Sequence, residues 1–274
     1  MSISRTTEIM RFYFVHWFRV RLAWLSRKDY NPLMLSPANF FTLTDPLALS
    51  LFENCEYVWE PLHTLSQHVA RLVGATQTIL GRVHPGAYLS DAPIYIAPTA
   101  IVEPGAYIIG PAYIGEGAVV KHGAYIRENV ILLKEAVLGH ASEAKNSLFL
   151  PGAHAPHFAY VGDSILGQRT NLGAGTKLSN LTINSAKDPM TGKRPTIKIW
   201  ADDREYDTSL AKLGAILGDD VQTGCNSVLN PGCLIGPRTL VYANASVRKG
   251  FHPADSIIKL RQNLVVMENR EQAR

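Results

Sequence analysis

The chain has 274 residues, 46% of them hydrophobic and 18% charged, with a formal net charge of +4. That composition describes a globular protein, long enough for one large domain or two modest ones, and excludes a disordered chain. The mild positive charge comes without an aromatic-and-basic RNA motif, a zinc finger or a long Lys/Arg run, so nucleic acid is not an expected partner.

Met1 to Arg27 contains the apolar run FYFVHWF, but Arg11, Arg19 and Arg21 interrupt it, so it is too short to span a bilayer. No small-residue cleavage site succeeds it, which argues against a signal peptide. Three readings stay open: a surface-lying amphipathic helix, a helix packed on the rest of the fold, or an extension upstream of a later start such as Met34. Membrane association is not the expectation. The cysteines, Cys55, Cys225 and Cys233, show no metal-ligand spacing and are odd in number, so they read as free thiols in a reducing cytoplasm, with no metal expected.

Residues 1–80 read as a helical N-terminal region punctuated by Pro32, Pro37, Pro46 and Pro61. Thr44-Asp45-Pro46 has the form of a helix start, an N-cap followed by proline in the first turn. Glu60 to Val73 carries Leu62, Leu65, Val69 and Leu72 at helical spacing. The expectation is a helical cap over the open end of a solenoid that begins near residue 81.

From residue 81 to 256 the dominant period is six. Ile96, Val102, Ile108, Ile114, Val120, Ile126, Leu132 and Leu138 stand six apart without interruption. That spacing is neither the 3.6 of a helix nor the 2 of a plain strand. A large aliphatic at the first position of each hexad and a small residue near the fifth suit a triangular coil, aliphatic inside and small residue at the corner. The expected fold is all-β, a left-handed parallel β-helix in which residues 18 apart stack at about 4.8 Å. Around Ala144 to Tyr160 the beat slips, which predicts a protruding or bulged segment. It resumes at Leu166, Leu172 and Leu178. Residues 183–212 interrupt it, and the alternation TIKIW followed by ADDREY predicts a hairpin arm. Leu217, Thr223, Leu229, Ile235, Val241 and Val247 restore it, and residues 257–274 read as a polar terminal helix.

The slip coincides with a polar cluster. Glu143, Lys145, His157, Tyr160, Asn171 and Asn180 fall within one short segment otherwise made of small and apolar residues. Lys145 lies 18 residues after Arg127, so one coil places two cations on the same face, suited to a phosphate. His157 is a natural base for taking a proton from an amine that attacks a carbonyl. Gly173-Ala174-Gly175 offers backbone N–H groups at a tight corner, a possible oxyanion site, and the two asparagines can orient hydroxyls or amides. Singly, each has a plainer reading: a surface histidine, solvated cations, corner glycines, stacked turn asparagines, and Glu143 as a surface partner of Lys145.

The motifs YIREN, EAKNS and HAPHFAYVGDSILGQRTNLGAGTKLSN resemble the acetyltransferase half of the bifunctional N-acetylglucosamine-1-phosphate uridyltransferase and glucosamine-1-phosphate acetyltransferase, and sugar-1-phosphate nucleotidyltransferase-like proteins. The resemblance covers roughly Val83 to Val247. It implies His157 as general base and the Ala174 amide facing the acetyl carbonyl. It also implies Arg127 and Lys145 on the sugar phosphate, Tyr160 and Asn171 on the same acceptor, and Asn180 helping at the base or the acceptor, with Glu143 a further substrate-binding candidate. Acetyl-CoA as co-substrate and a homotrimer with sites between subunits come with the same resemblance. The implied activity is N-acetylation of a glucosamine 1-phosphate-like amino sugar in the cytoplasm. Residues 1–80 carry no glycine-rich nucleotide loop, so pyrophosphorylase chemistry is not expected. The lysine that succeeds the second asparagine in that family has no single match here, Lys187 and Lys212 being candidates. A catalytically silent sugar-phosphate-binding subunit, docking a separate nucleotidyltransferase, is the alternative.

Overall fold

A computed structural model describes residues 34–262. Met1 to Arg27, with its three open readings, lies outside the described residues.

Thr78 to Ile258 wind into a parallel β-helix of three sheets. Two sheets have nine strands and the third has eight. Successive strands of the chain go to successive sheets, so each sheet is built from every third strand (Ile94–Ile96, Ala112–Ile114 and Val130–Leu132 in the first, Ile101–Val102 and Val119–Val120 in the second, Tyr107–Ile108 and Tyr125–Ile126 in the third). The hexad aliphatics fill the interior: Ile96, Val102, Ile108, Ile114, Val120, Ile126, Leu132 and Leu138 are all fully buried. The coil turns because every sixth side chain must reach the same apolar axis, and burial of that column is what drives the winding.

The slip produces no bulge. Tyr125 pairs with Glu143, 18 residues on, but Val130 pairs with Ser147, Val137 with His154 and Glu143 with Tyr160, each 17 on. One residue is dropped at the corner between the third and first sheets, so Ala144 is followed inside by Phe149, and Val161 by Leu166. Asn146 (φ 45°) and Asp163 (φ 47°) occupy this tightened corner in the left-handed region, which asparagine and aspartate tolerate better than other side chains. Beyond Leu178 the partner is Leu229, 51 residues on, because the arm intervenes. Its hairpin, Lys198–Ala201 against Arg204–Asp207, is antiparallel as expected. Leu213 N–H to Asn180 C=O (3.1 Å) closes the neck of the arm. Where the beat brings Thr223 inside, its hydroxyl meets Thr176 at 2.9 Å, so the interior polar group is satisfied.

The N-terminal helices form: Asp45 Oδ1 accepts the Ala48 N–H (2.9 Å) at the start of Pro46–Leu51, and Pro61–Val73 buries Leu62, Leu65 and Val69 as expected, with Val73 buried in place of Leu72, which is half-buried. They do not cap an open end. Pro61–Val73 packs on Ile94–Ile96 and Ala112–Ile114 of the first sheet, and Phe40 meets Phe251 of the same sheet edge-on at 5.9 Å. The reason is a second apolar column. Ile131, Leu148, Ile165, Ile216 and Leu234 point out of the first sheet and are as buried as the interior. A sheet apolar on both faces must be covered on both, and residues 35–73 and the arm strand Lys198–Ala201 pack on this sheet. At the other end, Ile257–Ile258, expected to open a helix, pairs with Leu240–Val241 as a further strand; residues 263–274 lie outside the described residues. No described helix is long and apolar enough to cross a membrane.

Candidate functional site

Arg127 and Lys145 stand one coil apart on the outer face of the third sheet, since the pairs Tyr125–Glu143 and Ile126–Ala144 carry that register up to them. The shortening begins after Lys145, so the 18-residue stacking holds. Each cation already has a carboxylate: Arg127 Nη1 lies 3.1 Å from Glu143 Oε1, and Lys145 Nζ 3.6 Å from Glu128 Oε1. Glu143 is thus the partner of Arg127 rather than of Lys145. Its hydrogen bond holds the Arg127 guanidinium above its ordinary pKa. Two cations and two carboxylates leave this patch without net charge.

Tyr160 succeeds Glu143 on the next coil of the same face. Its side chain lies across Gly162, where a β-carbon would come within 2.6 Å of the hydroxyl and 2.8 Å of the Asn180 amide nitrogen. Burial raises the Tyr160 pKa, and a hydrogen bond from Asn180 partly opposes the shift. Asn180 also donates to Asp163, whose other oxygen takes Asn146 Nδ2 at 2.9 Å. Glu128, Gly162 and Asp163 were not singled out from sequence, although all three lie inside the motifs YIREN and YVGDS. Their polar or small character is common at solenoid corners, so only their contacts distinguish them.

His157 sits at the corner between the second and third sheets and is exposed. Its carbonyl accepts the Gly175 N–H (3.0 Å), which puts Ala174 on the same corner one coil later. Among the described residues, the Ala174 N–H donates to nothing, while its carbonyl takes the Asn226 N–H. An imidazole and an unpaired amide are therefore neighbours along one edge, about 4.8 Å apart in backbone rise. Arg127, Glu143, Lys145 and Tyr160 occupy the sheet beside that edge, and Asn180 the corner beyond it. Asn171 does not join them: it pairs with His154 and Gln222 on the second sheet, round the corner from the rest. Alternation decides this, since Leu172 turns inward and leaves Asn171 on that sheet's outer face. Within one chain, Arg127, Glu143, Lys145 and Tyr160 therefore share the face of one sheet, and Asn171 lies on another.

The sequence pattern of the GMPPB C-terminal domain matches residues 108–231, somewhat less than half of the chain. A bifunctional protein GlmU from Methanococcus maripaludis is 33% identical over 132 residues, 48% of this chain and 29% of its own length. A bifunctional sugar-1-phosphate nucleotidylyltransferase/acetyltransferase from Sulfurisphaera tokodaii is 33% identical over 112 residues, 41% of this chain and 26% of its own. The matched stretch thus spans less than a third of these curated relatives. The acetyltransferase domain of PglB from Neisseria gonorrhoeae, solved with acetyl coenzyme A, aligns over 65% of this chain and 61% of its own. At 19% identity and a TM-score of 0.26, that likeness is too loose to argue from. Residues 108–231 are thus similar to the GMPPB C-terminal domain, and the chain is similar in sequence to GlmU and to a sugar-1-phosphate nucleotidylyltransferase/acetyltransferase.

Proposed function

We propose that the protein is an acetyl-CoA-dependent N-acetyltransferase whose acceptor is an amino sugar 1-phosphate of the glucosamine type. One observation carries the reading: an exposed imidazole, His157, and the free Ala174 N–H share a corner bordering the face that holds Arg127, Lys145, Glu143 and Tyr160. The names of the curated relatives support the sugar-phosphate and acetyl chemistry.

In this reading the acceptor phosphate meets Arg127 and Lys145, displacing their carboxylates. The amine then stands toward His157. Its lone pair attacks the thioester carbonyl, forming the N–C bond, and His157 takes the proton that the nitrogen must lose. The oxyanion is held by the Ala174 N–H. Collapse breaks the C–S bond, and the thiolate leaves as coenzyme A with the proton returned from the imidazolium. Asn171, on the adjoining sheet, reaches an acceptor only from a second copy, which favours a homotrimer with sites between subunits. Residues 35–73 pack on the first sheet at Ile94–Ile96, Ala112–Ile114 and Phe251, and in this reading the second and third sheets take such contacts. A cytoplasmic setting, where acetyl-CoA is available, goes with this reading.

A second reading has its own support. The patch around Arg127 and Lys145 is electrically neutral, which suits a silent subunit that binds a sugar phosphate weakly or docks a partner. Acetyl-CoA-dependent thiol release with glucosamine 1-phosphate decides between them. The enzyme reading requires turnover by the wild type and its loss, by about a hundredfold or more, in His157→Ala. No turnover on any amino sugar phosphate would leave the silent subunit.

A further inference from the structure

Asp163 is 6% exposed, and its carboxylate has no role in the chemistry above. Every group of the residue is engaged. One oxygen accepts Asn146 Nδ2 at 2.9 Å and the other accepts Asn180 Nδ2. Its N–H donates to Lys145 C=O (2.9 Å), and its own C=O receives the Gly214 N–H (2.8 Å) from the neck of the arm. Held at four points on a tightened corner, the carboxylate has little freedom to turn.

A carboxylate is acceptor-only, so the Asn180 group facing it must be the amide nitrogen and not the oxygen. That nitrogen has two hydrogens. One goes to Asp163 and the other to the hydroxyl oxygen of Tyr160, which lies beside it over Gly162. With its oxygen receiving, Tyr160 is left to present its own O–H outward as a donor. Were the Asn180 amide turned over, its oxygen would accept from Tyr160 and that proton would be spent inside the protein. Gly162 completes the arrangement: its φ lies outside the left-handed region, and what it supplies is room for the phenol to lie flat.

We propose that Asp163 is a positioning residue, which fixes the Asn180 amide so that Tyr160 offers a hydroxyl proton to an oxygen of the sugar phosphate acceptor. This rests on the N-acetyltransferase reading, and the experiment separates the two.

The variants are Asp163→Asn, Asn180→Ala, their double, and Gly162→Ala, all in the full chain and checked for folding by circular dichroism. Asparagine tolerates the left-handed backbone of position 163, so Asp163→Asn tests the charge and not the turn. With hexosamine 1-phosphate, Asp163→Asn raises the acceptor KM about tenfold, the effect of one charge-assisted hydrogen bond. The KM for acetyl-CoA stays where it was, which a general loss of structure would not allow. The double variant is no worse than Asn180→Ala, because the two act as one unit. Gly162→Ala gives the same acceptor defect, because the added β-carbon displaces both the phenol and the Asn180 amide while the Asp163 charge is kept. An unchanged acceptor KM in Asp163→Asn, or losses that multiply in the double variant, overturns the proposal. If the wild type turns over no amino sugar phosphate, the enzyme reading falls by itself. The side-chain amide NMR signals of Asn180, assigned by their absence in Asn180→Ala, then decide. Slow exchange in the wild type and fast exchange in Asp163→Asn uphold the clamp, and no difference between them removes it.

Discussion

The Asp219 carboxylate accepts the Thr42 N–H at 2.7 Å, across 177 residues of chain. Its other oxygen takes the Gln168 N–H at 2.8 Å, and Phe40 C=O receives the Asp219 N–H at 2.9 Å. This contact pins the N-terminal cover beside the outer apolar column of the first sheet. Asp219→Ala leaves two N–H groups without their acceptor, at a cost of about 1–3 kcal/mol. Hydrogen exchange should quicken first over residues 35–73, with Ile131, Ile165 and Ile216 next. Uniform quickening along all coils would show that the cover is not held here.

Acid should loosen the same corner from a different residue. Arg169 grips Asp220 through two bonds of 2.7 Å, and that guanidinium holds the Asp220 carboxyl below its ordinary value of 3.8. A depressed carboxylate contributes stability that is present above the unfolded pKa and lost as pH falls through the lower folded value. Asp219 runs the other way, because burial raises its pKa; its contribution is present in acid and is lost as pH climbs. Thermal midpoints measured against pH should therefore fall less steeply on the acid side in Asp220→Asn than in the wild type. Identical acid limbs would mean the pair is fully screened.

Gly139 lies against the next coil, where an added β-carbon would sit 1.8 Å from the Pro156 carbonyl oxygen. Backbone cannot give way as a flexible side chain does. Gly139→Ala should cost about 1–3 kcal/mol by overpacking. It should also shift Pro156 and with it His157, so activity should drop in protein that remains folded. Full activity in a folded Gly139→Ala protein would place His157 outside the reaction.

Glu128 competes with any anion for Lys145. Glu128→Gln removes that competitor and gives the patch a net positive charge. Since both partners are part-exposed, the gain is modest, about 0.2–1 kcal/mol or up to about fivefold tighter phosphate binding. Titration with inorganic phosphate at low and high salt reads it. Weaker binding in the variant would mean that Glu128 orients Lys145 for the ligand.

The three thiols differ in reach. Burial pushes Cys233 up to about 12 and Cys55 up to about 11, while Cys225 is exposed on the corner one coil after Ala174. Iodoacetamide at neutral pH should label Cys225 first in the folded protein, because the thiolate is the reactive form. Mass mapping of the alkylated peptides tests this, and early labelling of Cys233 would show that the last coils open.

The winding was legible because a six-residue beat of aliphatics is a local property: each of Ile96 to Leu138 needs only its own hexad to reach the axis. Asp45 before Pro46 and the apolar stripe of Pro61–Val73 were legible for the same reason. The one-residue shortening was visible only as a slip, since a dropped residue and an inserted bulge disturb a periodic pattern alike. Pairing of Val130 with Ser147 distinguishes them.

Residue types by themselves determined that this chain coils, that polar groups crowd its middle, and that Arg127 stacks on Lys145. Three things waited for the folded chain. The N-terminal helices lie on the flank because Ile131, Leu148 and Ile165 add an outward apolar column to the inward one, a surplus that alternation conceals in a run of apolar residues. Asn171 parts from Tyr160 because a corner falls between them. Asp163 came to hold Asn180 because dropping one residue per coil carries both to the same tight corner, a consequence of closure over distance that no local spacing records.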